Sequence, residues 1–95
     1  MKDYASMSDF EINCRVHAEV MEISGLDSFK AKDYCNNPAD AWPIITENRI
    51  SIIHLDDNEW GWRGEGDKSA CRAINSNALR CAMIVFLMMK ESEND

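Results

Sequence analysis

The residues with the most chemical capacity in this chain of 95 are two histidines and four cysteines, at 17 and 54 and at 14, 35, 71 and 81. Cys14 and His17 sit three apart on a helical pattern, a spacing that supplies half of a zinc site. No second pair completes it: Cys35 and Cys71 are spare thiols with no histidine near them in sequence. The plainer reading is a half-buried helix face carrying a small apolar Cys. His54 precedes the acidic turn Asp56-Asp57 and could act as a general base, or simply be a strand histidine whose tip reaches solvent. Asp56, Asn58, Gly61 and Asp67 fall at positions 1, 3, 6 and 12 of a calcium-loop pattern. Trp60 occupies position 5, where an oxygen ligand is required, and Asp replaces the terminal Glu, so the stretch reads as a turn. There is no phosphate loop, paired catalytic carboxylate or Ser/His/Asp order. No catalytic, metal-binding or cofactor-binding residue is assigned.

Aromatic and thioether groups offer binding instead. Trp60-Gly61-Trp62 places two indoles two residues apart, either as a stacking or peptide-binding platform or as a cap on the core. Met83, Met88 and Met89 are either adaptable surface or core. The candidate interaction surface is therefore Trp60, Trp62, Trp42, Met88 and Met89.

The elements that would hold these groups follow from local signals. Ser8-Asp9-Phe10-Glu11 is a capping box and starts a helix at about 8–24. Its stripes are Ile12, Val16, Val20, Ile23 and Phe10, Cys14, His17, Met21, a wide apolar face, and Gly25 stops it. Residues 26–36 have no clear period. Asn37-Pro38 caps a second start, and Pro43 should end it after one turn, 38–42, by forcing Trp42 out of the α region. Glu47-Asn48 reads as a turn, Arg49 to Leu55 as a strand, 56–58 as a turn and Glu59 to Arg63 as the return strand. This hairpin would set Leu55 against Trp60 and Ile53 against Trp62, with Ile50, Ile52 and His54 on the other face. Residues 64–67 form a loop and 68–74 a third strand. Asn75-Ser76-Asn77 offers caps for a last helix at about 77–90. Of Ala78 to Met89, eleven of twelve residues are apolar. That is too short to span a membrane, so the helix is either the central core element or has one face in a subunit interface.

The net charge of −7 is concentrated in residues 35–67, with seven acids against two bases. Phosphate binding needs clustered Lys and Arg, so nucleic acid is disfavoured as a partner. The N-terminal residues show no signal peptide, which points to a reducing compartment with cysteines as thiols.

The stretch Asn37-Pro38-Ala39-Asp40-Ala41-Trp42-Pro43-Ile44-Ile45-Thr46-Glu47-Asn48-Arg49-Ile50-Ser51 resembles the NinX-like family, small proteins of lambdoid phages and prophages with no assigned function. Ser8 to Asn13 and Ala78 to Val85 also look like that family. Two glycines often precede Pro-Ile-Ile in the family, where this chain has Ala41 and Trp42. The resemblance implies a phage accessory protein in the bacterial cytoplasm and carries no catalytic residue.

Together these readings predict one α+β domain over 1–95, with 1–6 and 91–95 frayed. It comprises an N-terminal helix, a short helical turn, an antiparallel hairpin or three-stranded meander, and a long apolar C-terminal helix. Both long helices would pack on one face of the sheet. The expected function is non-enzymatic protein binding, with a homodimer allowed and no nucleic acid, membrane or cofactor. The alternatives are a small enzyme or ligand-binding protein using His54 with nearby carboxylates, and an acidic decoy for a nucleic-acid-binding protein.

Overall fold

The computed structural model describes residues 3–21, 31–56, 59–64, 72–75 and 77–93, with side chains at 3–21, 31–51, 61–64 and 77–93. After a 3-10 turn at Tyr4–Ser6 come α1 (Asp9–Met21), α2 (Pro38–Glu47), β1 (Ser51–Asp56), β2 (Glu59–Arg63), β3 (Arg72–Asn75) and α3 (Ala78–Glu93). Helix outweighs strand: the α-helices run 13, 10 and 16 residues, the strands 6, 5 and 4.

The fold class read from the sequence needs correction. The helix α3 is the hub: α1 and α2 pack on it, and so do β2 and β3, while among the described residues α1 has no substantial contact with the sheet. The two long helices therefore do not share a sheet face. The reason lies in α3, whose apolar residues encircle it. Cys81, Ala82, Met83 and Val85 are fully buried and Ile84, Phe86, Leu87 and Met89 nearly so. A helix apolar all round must be covered all round, and here its own chain does the covering.

The helical turn expected at 38–42 is a ten-residue helix that continues through Pro43. Asn37 caps it by accepting from the Ala39 N–H at 3.0 Å. Pro43 removes one helical bond and disfavours the α region at Trp42. Burial of Ala41, Ile44 and Ile45 on either side of it outweighs that cost. The Thr46 hydroxyl adds bonds back to the Trp42 and Pro43 carbonyls, both at 3.2 Å.

The end of α2 is a Schellman motif. Ile50 N–H donates to the Ile45 carbonyl at 3.0 Å and Arg49 N–H to the Thr46 carbonyl at 3.3 Å. Arg49 takes φ of 53°, the left-handed conformation that favours glycine. Ile45 and Ile50, the apolar pair that accompanies such a cap, are both buried.

The sheet is antiparallel in the order β1-β2-β3. Its first register differs from the expected one. Ile52 pairs with Trp62, Ile53 with Gly61 and His54 with Trp60, and a bulge follows between His54 and Asp56. The bulge takes up the extra residue, so the pairing is one residue away from Leu55–Trp60 and Ile53–Trp62. A one-residue slip exchanges the face to which every position belongs.

The wide apolar face expected on α1 is narrower. Ile12 and Val16 are buried with Asn13, while Phe10, Val20 and Met21 are exposed. Ser8 caps the helix through the Glu11 N–H at 3.1 Å, but the Glu11 carboxylate bonds Arg15 at 3.3 Å. Where described, the two chain ends meet. Tyr4 is buried and its hydroxyl donates to Glu91 at 2.7 Å.

Candidate functional site

Two polar or partly polar regions stand out. The first joins three segments distant in sequence. Arg80, the single cation in the apolar run of α3, is buried. Its Nη1 donates to Asp9 Oδ1 at 2.7 Å, and its Nη2 donates to the carbonyls of Tyr4, at 3.2 Å, and Met7. Asn36 Nδ2 donates to Asp9 Oδ2 at 3.2 Å, and Asn77 Nδ2 donates to Asn36 Oδ1 at 3.1 Å. Asn77 also caps α3 by accepting from the Arg80 N–H at 3.1 Å. Alongside, buried Asn13 accepts from the Cys35 N–H at 2.9 Å and donates to Asp33 at 3.0 Å. Every one of these groups is occupied by a protein partner, so the network fastens the chain together rather than presenting a reactive group.

The thiols point the same way. Cys14, Cys35 and Cys81 form no disulfide. Cys35 and Cys81 are fully buried. Burial, reinforced by Asp9, pushes the Cys35 thiol up to about 12, and burial raises Cys81 to about 12 against a hydrogen bond from the Trp62 backbone. Thiols held protonated in this way are poor nucleophiles and poor metal ligands. His17 Nδ1 lies 3.3 Å from the Tyr34 hydroxyl. Burial, with Asp40 adding to it, raises the Tyr34 phenol. Among the described residues no three His, Cys, Asp or Glu side chains gather as a metal site.

The second region is a groove of about 480 Å³ between the C-terminal end of α1, one side of α2 and the last turns of α3. Val20, Tyr34, Pro43, Ile44 and Phe86 line it together with Glu19, Lys32, Asp40, Glu47 and Lys90, and of these Tyr34, Ile44 and Phe86 are nearly fully buried. The α2 contributors recur at 39/40, 43/44 and 47 because one face of a helix returns every three to four residues. Trp42, next to Pro43, is 57 % exposed on this helix.

Four of the five residues expected to form an interaction surface are described, and these four do not share an exposed face. Trp62 is 3 % exposed and belongs to the core, with its indole N–H unpartnered among the described residues. Met89 is buried and Met88 half-buried against the same core. The side chains of Trp60 and His54, and those of Asp56, Asp57, Glu59, Glu65 and Asp67, lie outside the described residues. Only Trp42 is shown exposed. The network was missed in the sequence, though a lone Arg in a helix apolar all round was its signal: a buried guanidinium needs a buried acceptor set.

These features define a small, predominantly helical domain with two buried, protonated thiols, Cys35 and Cys81, and one exposed indole among the described residues. The chain belongs to the family described as Bacteriophage P22, NinX, whose profile matches residues 3–90. It is accordingly a phage accessory protein. No curated protein and no solved structure matches it. Among the described residues no helix is long and apolar enough to cross a membrane.

Proposed function

We propose that this protein is a non-enzymatic module that binds another protein in the cytoplasm of the bacterial host, through the α2 face that carries Trp42. The carrying observation is Trp42 itself. An indole more than half exposed on a rigid helix is available as an anchor, and Trp is among the residue types most favoured at binding hot spots. Val20 and Met21, at the end of α1, are the other large apolar side chains exposed on the described helices together with Phe10. A homodimer through α3 loses its motive, because the apolar surface of α3 is already buried by α1, α2 and the sheet. We therefore take the partner to be a different protein.

The test is affinity capture from phage-infected cells with the wild type and with Trp42→Glu. The reading expects specific proteins recovered with the wild type and lost with the variant, whose melting temperature stays within a few degrees of wild type. Equal recovery by both would sink it.

A further inference from the structure

Helix α1 carries a stripe apart from its buried side. Phe10, Cys14, His17 and Met21 follow one another at spacings of four, three and four, so they stand along one side of the helix. Its ends, Phe10 and Met21, are more than half exposed, and Cys14 and His17 between them are half-buried. Glu11 and Arg15, on the flank, neutralise each other at 3.3 Å. Cys14 and His17 stand one turn apart, the spacing at which two side chains of a helix can share a metal. His17 is already tethered: its Nδ1 lies 3.3 Å from the Tyr34 hydroxyl, with the two ring centres 6.4 Å apart. With Nδ1–H donating to Tyr34, Nε2 keeps the lone pair a metal takes, and the tether orients the ring as outer partners of metal-bound histidines do. One copy supplies only two ligands, and among the described residues no third joins them. A structural zinc needs four.

We infer that two copies of this chain complete the site: a zinc ion held by Cys14 Sγ and His17 Nε2 of each, where two α1 helices cross antiparallel. The spacing of the stripe reads the same in both directions, as a two-fold interface demands. Turned about a point between Cys14 and His17, the stripe sets Cys14 against His17 of the second copy and Phe10 against Met21 of the second copy. The two exposed apolar ends then cover each other, a thioether on an aromatic ring. Binding deprotonates the two thiols and releases two protons to solvent, and the two thiolates balance the charge of the ion. The protein-binding reading uses α2, so the two stand or fall separately.

The test is a zinc titration of the full chain, kept reduced with a phosphine and read by sedimentation equilibrium, then repeated with cobalt(II) and read by absorption. A monomer is expected to become a dimer as one metal is taken up for every two chains, with a thiolate-to-cobalt charge-transfer band and the visible bands of a tetrahedral site. Cys14→Ser and His17→Gln should each lose both the dimer and the band, while their melting temperatures without metal stay within a few degrees of wild type. Met21→Glu keeps all four ligands and changes an exposed residue; it should weaken zinc-dependent dimerisation about tenfold by putting a charge into the apolar seam. Trp42→Glu should dimerise like the wild type. A monomer at saturating zinc, uptake of one metal per chain, or a dimer and cobalt band that survive Cys14→Ser each overturns the assignment.

Discussion

Arg80 reaches across 71 positions of sequence to place its Nη1 2.7 Å from Asp9 Oδ1. The contact locks the start of α1 to the start of α3. The two partners are unequal: the Arg80 side chain is 10 % exposed and that of Asp9 44 %. The guanidinium also carries the Tyr4 and Met7 carbonyls, which would lose their donor without it. Arg80→Met should therefore destabilise the protein by about 2–4 kcal/mol, since acceptors and a carboxylate are left unpaired. Asp9→Asn should cost about 1 kcal/mol or less, because Asp9 is solvated and the pair is screened. Urea unfolding of both variants checks the order; equal effects would contradict it.

The exposed and buried tryptophans should behave as opposites. Trp62→Ala opens a cavity in the core and should cost about 3–5 kcal/mol. Trp42→Ala should stay within about 0.5 kcal/mol of wild type, as most exposed substitutions do. Thermal melts of the two variants decide it.

Arg49 holds a left-handed backbone without glycine. Arg49→Gly and Arg49→Ala both delete the side chain and whatever it contacts, so the difference between them isolates the backbone. The glycine variant should be the more stable of the two by about 1 kcal/mol. Chemical denaturation of the pair measures this. An alanine variant as stable as the glycine one would show that the strain is relieved elsewhere.

The buried thiols predict a loss of stability in alkali. Cys35 and Cys81 are raised from 9.0 to about 12 by burial. Their protonated forms are favoured in the folded state, so this contribution is complete below pH 9. It is lost as pH rises from about 9 towards 12, where only the unfolded chain releases the protons, at up to about 1.4 kcal/mol per pH unit for each thiol. Urea midpoints should fall over that window, and Cys35→Ala, Cys81→Ala should fall less steeply. At neutral pH, Ellman's reagent should label these two thiols only after denaturation.

The legible parts of this protein were the local ones. Ser8, Asn37 with Pro38, and Asn77 all cap the helices they were expected to start. A cap depends on a side chain and amides two or three residues away, so sequence contains the whole interaction. The composition of Ala78 to Met89 likewise required burial on every side, although not by what.

Only the tertiary structure decided the rest. Pro43 ended α2 by local rules, yet the packing of Ile44 and Ile45 carries the helix through it to Glu47. The bulge between His54 and Asp56 set the strand register by one residue, and no local signal marks such a slip. Trp62 went into the core and Trp42 to the surface although both are indoles. Burial is a relation between distant segments. Residue type states how much is gained by hiding a side chain, and the fold alone decides which side chains find something to hide against.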